Sequence, residues 1–288
     1  MYLSKHQGGN SVSSAEQQDP NEAKKWKHDV LEAYLGVTLK RLFTTGPEAF
    51  DEIYRRVEQF ARSLGEAGEV SSLELLPAAV VETVTSLAIA IDAKDQYTNG
   101  HSQKVSKYSV MAAEAGGFTP AEIEEIRLGA LLHDVGKVGI PEPILHKAGP
   151  LDAAEWETMK SHTLLGDKLL EPLVAMQRIR EMVRHHHEFF DGSGYPDRLE
   201  GHNIPRGARL VAIADAYDTI TSERTYKKPR THEDAFEELA RCASTQFDPE
   251  LVEVFIQALR RQPLPLATVE VAPIPLETDR MSAENALR

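Results

Sequence analysis

The strongest constraint on the fold of this chain is a pattern that places imidazoles and carboxylates on the apolar faces of predicted helices. On the first such helix, His133 follows Ile126 and Ala130 at helical spacing, so it shares their core-facing stripe. Asp134 comes directly after it, and Gly136 is expected to end the helix, which leaves the pair at a helix terminus. A fold that buries such groups has to supply them with partners.

Three further segments show the same arrangement. Their stripes predict that His162, His186 and Asp215 face inward and that His187 flanks the face of His186. His185 points away from that face, so the triple histidine is predicted to supply two ligands. Taken singly, each inward histidine is better explained as a hydrogen-bonded core residue. Taken together, these groups need common partners, because an unpaired buried carboxylate costs several kcal/mol.

A pair of bound cations would satisfy these groups together. Imidazole and carboxylate without thiolate suit iron, manganese, nickel or zinc, and do not suit a cysteine-type structural zinc site. A carboxylate next to a histidine, as in Asp134 after His133, can bridge two ions about 3.5–4 Å apart, which hold a hydroxide for attack on phosphorus. The residues therefore predict a two-metal hydrolytic site.

The composition narrows the class of protein and of partner. No stretch approaches the roughly 20 apolar residues of a membrane-spanning helix, and the first residues lack the apolar core of a signal peptide. We therefore expect no membrane insertion and a cytoplasmic location, which the single cysteine, Cys242, also favours. The formal charge of −13 argues against binding to a nucleic-acid polymer, but it allows a small anionic substrate held by local cations.

Composition and periodicity divide the chain into four segments. Residues 1–21 are rich in Ser, Gln, Asn and Gly and are predicted to be disordered. Residues 22–75 are predicted to be helical, with an unknown role, and to pack on the main domain, on a second subunit or on a regulatory protein. Residues 76–261 have helical period almost throughout and are predicted to form an all-α domain. Residues 262–288, rich in Pro and acidic residues, are predicted to be an extended or disordered tail.

Several motifs resemble, in order, those of the HD-GYP family, the bacterial branch of the HD superfamily of metal-dependent phosphohydrolases. The match extends over about residues 92–259. A bare His-Asp pair is a weak signal, whereas this many blocks in the right order are specific. The blocks include Gly100-His101-Ser102, His133-Asp134-Val135-Gly136-Lys137, His186-His187-Glu188, Gly194-Tyr195-Pro196, Ile213-Ala214-Asp215-Ala216-Tyr217-Asp218 and Gln246-Phe247-Asp248-Pro249.

The resemblance implies a helical HD-domain bundle and an enzyme that hydrolyses cyclic di-GMP to pGpG, GMP or both in bacterial second-messenger signalling. A hydroxide that bridges two divalent metal ions would attack the phosphate, and iron or manganese is favoured over nickel or zinc. The implied ligands are Asp134 as the bridge, His133 and Asp215 on one ion, and His162, His186 and His187 on the other.

The resemblance also implies the contacts to substrate. Lys137 would neutralise charge on the attacked phosphate, and Arg224 and Lys227 would hold the substrate phosphates, as an acidic protein requires. The turn residues around Tyr195 predict a loop that braces the segment with His186. In an alternative interpretation, Tyr195 stacks on guanine.

Three positions depart from the family pattern. Arg198 stands where the family commonly has glycine, which costs about 1 kcal/mol if the position needs a positive φ. Asp92 stands where the family often has Glu, and Tyr97 where members with a third metal can carry a carboxylate. Because Tyr97 is no carboxylate, two ions are favoured. His101 and Asp92 stay candidates as ligands of a third metal or as residues that hold the metal ligands in position.

Two other functions remain open. One is a receptor or adaptor that binds a cyclic dinucleotide with little turnover, which Arg198 and the N-terminal helices leave open. The other is an HD phosphohydrolase that acts on a different nucleotide. The GYP block and the pair Arg224 and Lys227 argue against the latter by analogy.

Replacement of Arg224 by alanine is expected to weaken substrate binding and to leave the metal content unchanged, because the guanidinium would contact phosphate and no metal ion. The KM for cyclic di-GMP should rise roughly 10- to 100-fold, the effect of losing a charged hydrogen bond. Steady-state kinetics and elemental analysis of the same samples measure both quantities, with Arg261→Ala as the control. Loss of metal from Arg224→Ala would show that the residue is misassigned.

Overall fold

The computed structural model describes residues 100–222 and 229–261 continuously, and residues 47, 48, 50, 51, 54, 55, 58, 85 and 88 individually. The continuous part is helical and contains no strand, which confirms the all-α prediction for the described residues. The helices are α1 (His101–Ala115), α2 (Pro120–Leu132), α3 (Glu142–Leu145), α4 (Ala153–Lys160), α5 (His162–Leu170), α6 (Gln177–His185), α7 (Arg206–Thr221), α8 (His232–Arg241) and α9 (Pro249–Arg261). Short 3-10 helices cover Val135–Gly139, Val174–Met176 and Gly201–Asn203.

Capping boxes begin several helices. The Thr119 hydroxyl accepts the backbone N–H of Glu122, and the Glu122 carboxylate accepts the N–H of Thr119 in return. Asp152 begins α4 in the same way, and the sequence predicts both of these caps. Thr231 adds a third box at the start of α8. These caps fix where helices begin around the centre of the domain.

The end of α2 differs from the sequence prediction. The α-helix stops at Leu132, several residues before Gly136, and His133 is its C-cap. Asp134 has φ −97° and ψ 6° and begins the following 3-10 helix. The change of helix type at this point turns the chain, so that His133 and Asp134 both reach the centre of the domain.

Gly136 is required by the packing of this 3-10 helix against α5. A Cβ atom at Gly136 would lie 1.9 Å from the carbonyl oxygen of His162 and 2.4 Å from the backbone nitrogen of Gly166. The two backbones are therefore in direct contact, which brings Asp134 next to His162.

Two hydrophobic clusters enclose the polar centre. The larger cluster joins α1, α2, α7, α8 and α9 around the buried Tyr217 and Phe255. The smaller cluster joins α2, α5 and α6 around Leu132, Leu169 and Val183. Because α2 contributes to both clusters and packs on α1, α6 and α7, its C-terminal end lies at the junction between them.

Two described residues of the predicted N-terminal segment pack on the smaller cluster. Phe50 is 4% exposed, and Tyr54 packs beside it. Lys168 Nζ of α5 lies 5.7 Å from the Phe50 ring centroid and 5.5 Å from that of Tyr54. These contacts fit the expected docking on the main domain. Residues 1–21 and 262–288 lie outside the described residues, and the domain limits stay predictions.

The loop that contains the Gly194-Tyr195-Pro196 block follows α6. Gly194 packs directly on the chain after α6, since a Cβ there would lie 2.2 Å from the Phe189 nitrogen. Arg198 has a φ of 57°, so this position does require the left-handed backbone that glycine favours. Among the described helices, none is both long and apolar enough to cross a bilayer.

Replacement of Gly136 by alanine is expected to separate the 3-10 helix from α5, because the new methyl group would overlap two backbone atoms. The free energy of unfolding should fall by about 3 kcal/mol, the upper end for overpacking. Gly149→Ala is the matched control, since no atom of the described residues lies within 4 Å of a Cβ there, and it should change stability by under about 0.5 kcal/mol. Denaturant unfolding measures both, and equal stabilities would contradict the packing argument.

Replacement of Arg198 by glycine is expected to stabilise the fold. Glycine removes the roughly 1–2 kcal/mol cost of a left-handed residue but adds about 0.5–1 kcal/mol of chain entropy, so the net gain is about 0.5–1 kcal/mol. Arg198→Ala is the control: it removes the same side chain but keeps Cβ, and it should bring no such gain. Thermal unfolding compares the two, and equal gains would assign the effect to the guanidinium.

Candidate metal centre

The side chains predicted to bind metal meet where helices end or cross. α2 ends at this place, α5 begins here, α6 ends here, and the middle of α7 passes beside them. The site therefore forms only when several distant segments have packed. The structure brings together all six predicted ligands, namely His133, Asp134, His162, His186, His187 and Asp215.

Three of these histidines are held in the same way. Nδ1 of His133 donates a hydrogen bond of 2.8 Å to the carbonyl oxygen three residues earlier, and His162 and His186 make the same bond at the same distance. A neutral imidazole that donates from Nδ1 carries its lone pair on Nε2. The bond therefore fixes the tautomer and directs Nε2 into the cluster, which is the usual arrangement of metal-binding histidines.

The resulting arrangement of lone pairs fits cations. Nε2 of His162 and Nε2 of His186 lie 3.4 Å apart. Burial, above all other causes, lowers the pKa of both rings, so both are neutral near pH 7 and their lone pairs face one another. Nε2 of His133 is also buried, and among the described residues its near polar neighbour is Asp134 Oδ2, at 3.3 Å, without the geometry of a hydrogen bond. Nitrogen donors that face each other without a proton match divalent metal ions.

His162, His186 and His187 form one group of donors. One nitrogen from each ring lies within 4.8 Å of the others. The pKa of His187 is lowered to about 3, first by burial and then by His162. Few protons therefore compete for these three nitrogens at neutral pH. This group coincides with the three histidines that the resemblance assigns to one ion.

Asp134 lies between this group and the remaining donors. Its Oδ1 is 3.5 Å from His162 Nε2, and its Oδ2 is 3.3 Å from His133 Nε2. Burial opposes ionisation of Asp134, but Lys137 and His133 outweigh it and hold its pKa well below the usual range. Lys137 Nζ lies 2.7 Å from Asp134 Oδ2. An ionised carboxylate with one oxygen toward each group has the position that a bridging ligand needs.

His101 completes the second group, together with His133 and Asp215. His101 Nε2 is 3.2 Å from Asp215 Oδ1, and the His101 ring stands edge-on to that of His133, 5.3 Å between centroids. Burial alone would lower the pKa of His101, but Asp215 and Asp218 raise it to about 10. A cation held by His101 and Asp215 would therefore replace the Nε2 proton.

Two carboxylates in or beside the site were not among the predicted site residues. Asp218 is buried and accepts a 2.7 Å hydrogen bond from His101 Nδ1, so it orients that ring as the backbone carbonyls orient the other three. It stands three residues after Asp215 on the inward face of α7, which is the signal that could have identified it. Glu188 follows the two histidines directly, and its carboxylate is buried as well.

Glu188 fastens the loop with the GYP block to the end of α6. Its carboxylate accepts the backbone N–H groups of Asp197 at 2.7 Å and Leu199 at 3.1 Å. The N–H of Tyr195 donates to the carbonyl oxygen of His187 at 3.1 Å. The loop thus braces the segment that carries the histidines, as its turn residues predict.

Of the other residues singled out in the sequence, the structure describes Tyr195 and His185 but not Asp92, Arg224 and Lys227. The Tyr195 ring stacks on the His187 ring, with 4.9 Å between centroids and 28° between planes. His185 lies apart from the metal ligands, beside Glu188 and Asp197. Asp92, Arg224 and Lys227 fall outside the described residues, so their roles stay predictions.

A pocket opens beside the cluster, between α7 and the chain after α6. His187 and Asp215, one predicted ligand from each group, form part of its wall, and Thr219 and Gln246 line it as well. A molecule in this pocket would contact the donors directly. The buried centre is therefore accessible to a small substrate from this side.

Comparisons with known proteins agree with this geometry. A model of the HD domain family matches residues 86–251, more than half of the chain. The 3'3'-cGAMP-specific phosphodiesterase 2 of Vibrio cholerae is 42% identical over 178 residues, which cover 61% of this chain and 34% of that protein. A cyclic di-GMP phosphodiesterase of Thermotoga maritima is 38% identical over 180 residues, which cover 61% of this chain and 48% of that protein.

A third relative, the cyclic di-GMP phosphodiesterase response regulator RpfG of Xanthomonas campestris, is 37% identical over 180 residues, 61% of this chain and 47% of that protein. The matched part is thus less than half of the length of each of these relatives. The family-model match over residues 86–251 contains the His-Asp pair and the other donors on the helices described above. The chain therefore belongs to the HD domain family, in its HD-GYP branch.

Proposed function

We propose that this chain is a metal-dependent phosphodiesterase that hydrolyses cyclic di-GMP. The observation that carries the proposal is the pair of donor groups on either side of Asp134. Within one of these groups, the unprotonated Nε2 atoms of His162 and His186 face each other. Such a set has no use in a purely structural core, because opposed lone pairs are unfavourable without a cation. Membership of the HD domain family implies divalent metal binding at this place.

When bound, two divalent cations would supply positive charge for the phosphate oxygens and lower the pKa of water. His162, His186 and His187 would hold one ion, and His133 and Asp215 the other, with Asp134 between them and His101 as an additional donor. Iron or manganese is the proposed metal, as the resemblance implies, and neutral imidazoles and carboxylates suit either ion.

Lys137 supplies a further positive charge at the site. Its ammonium lies on the Asp134 carboxylate, on the side of the 3-10 helix that faces the cluster. From there it is placed to approach a phosphate oxygen and stabilise the charge that develops on it during attack. The fixed position of the 3-10 helix against α5 determines this placement.

The nature of the substrate rests on the relatives and on the predicted cations. The relatives act on cyclic di-GMP or on 3'3'-cGAMP, both of which contain two phosphodiesters. The predicted phosphate contacts, Arg224 and Lys227, suit a doubly charged substrate. We propose cyclic di-GMP because the motifs resemble the HD-GYP pattern, with pGpG, GMP or both as products.

Product analysis on cyclic di-GMP tests this function directly, with protein purified anaerobically and its metal content determined in the same sample. Two metal ions per chain with release of pGpG or GMP would establish the enzyme. Two metal ions with tight dinucleotide binding and no product would show a receptor instead. Hydrolysis of 3'3'-cGAMP in preference to cyclic di-GMP would correct the substrate.

Replacement of Asp134 by alanine is expected to abolish both metal binding and turnover, because it removes the only carboxylate that faces both donor groups among the described residues. His185→Ala is the control. It removes a neighbouring histidine that lies outside the cluster, and it should keep the full metal content. Elemental analysis and product release measure the two effects. Retention of two ions per chain by Asp134→Ala would contradict the assignment of the bridge.

A further inference from the structure

Trp156 is the only Phe, Tyr or Trp residue in the described part of the chain that is exposed. It lies on α4 and is 47% exposed, which is unusual for an indole. Two aliphatic residues outside α4, Leu164 and Val174, are also exposed in the described part of the chain, but neither has an aromatic face. Trp156 thus offers to solvent an aromatic surface that a planar ligand could cover.

A series of ring contacts links Trp156 to a predicted metal ligand. The Tyr195 ring stacks on His187, and the Trp156 ring meets Tyr195 at 6.4 Å and 79°. Lys160, one turn after Trp156 on α4, places its Nζ 5.7 Å from the Tyr195 centroid. Tyr195 is therefore enclosed by other residues and has little free face for a substrate. Trp156, at the outer end of the series, is the ring that stays available.

We propose that the Trp156 indole stacks on a nucleobase of the bound cyclic dinucleotide. This inference rests on the proposed function. It assigns to Trp156 the stacking on a base that the alternative interpretation of the sequence assigns to Tyr195. A phosphodiester held at the two donor groups projects its bases away from the metal centre. The ring contacts place Trp156 one ring beyond Tyr195, which itself stacks on His187, so a base that extends past His187 on the side of Tyr195 would reach the indole.

The contact is expected to contribute binding without selecting the base. Every nucleobase has a flat π face, so stacking on an aromatic side chain tolerates both guanine and adenine. Trp156 therefore strengthens the binding of cyclic di-GMP and of 3'3'-cGAMP alike. Discrimination between the two has to come from polar groups elsewhere in the cleft.

Steady-state kinetics of two substitutions test the inference. Trp156→Leu keeps an apolar side chain but loses the π face, and it should raise the KM for cyclic di-GMP roughly 5- to 100-fold with kcat within about twofold. Trp156→Tyr keeps an aromatic face and should restore most of the affinity. Val174→Ala, at an exposed apolar residue on the 3-10 helix after α5, is the control and should leave both constants unchanged. Metal content should equal that of the wild type in all three.

Fluorescence gives a second measurement that needs no change at Trp156. The chain has two tryptophans, Trp26 and Trp156, so Trp26→Phe leaves Trp156 as the sole emitter. Addition of a phosphorothioate analogue of cyclic di-GMP that resists hydrolysis should quench its emission. Guanosine 5'-monophosphate at the same concentration, which has one phosphate and one base, should quench less.

The outcomes separate the inference from the proposed function. If the wild type hydrolyses cyclic di-GMP and Trp156→Leu has an unchanged KM, the stacking role is wrong and the enzyme stands. If Trp156→Leu and Trp156→Tyr lose kcat and metal to the same extent, the indole supports the fold only, and the inference is again wrong. If the wild type binds metal and turns over no cyclic dinucleotide, the proposed function fails and the inference fails with it.

Discussion

The candidate site depends on one hydrogen bond that occurs three times, from histidine Nδ1 to the carbonyl oxygen three residues earlier. The bond forms at the margins of helices, where the last carbonyls have no partner within the helix. His133, His162 and His186 thus donate to carbonyl oxygens at these margins and, by the same contact, direct their Nε2 atoms to the centre. The orientation of the three rings is therefore a consequence of one kind of hydrogen bond.

The rest of the fold brings these helix margins together. Gly136 allows the 3-10 helix to touch the backbone of α5, and Gly194 allows the GYP loop to touch the chain after α6. Glu188 then ties that loop down through two backbone N–H groups. The two glycine contacts are made by backbone atoms at close range, so these positions tolerate little change in volume. The loop with the GYP block therefore braces the segment that carries His186 and His187.

Helical periodicity is sufficient to predict the all-α fold and the inward faces of His133, His162, His186 and Asp215, because burial repeats every 3.6 residues whatever the partner. It could not give partners across the fold. The bond between His101 and Asp218 joins residues 117 positions apart, and no local pattern encodes it. The end of α2 was also misplaced, since Gly136 is needed for packing on α5, while the helix already ends at Leu132. Asp92, Arg224 and Lys227 were assigned by resemblance alone and lie outside the described residues.

The electrostatics of the centre imply an order of binding. Asp134 and Asp215 are held in their ionised forms, while His162, His186 and His187 are held neutral. Lys137 and His101, whose ring is protonated because its pKa is raised to about 10, already lie against Asp134, Asp215 and Asp218, so the centre of this acidic protein offers little positive charge to an anionic phosphodiester. Divalent cations would change this balance, because the carboxylates attract the ions and the bound ions attract phosphate. Metal binding should therefore precede substrate binding, and substrate affinity should be a consequence of the metal content.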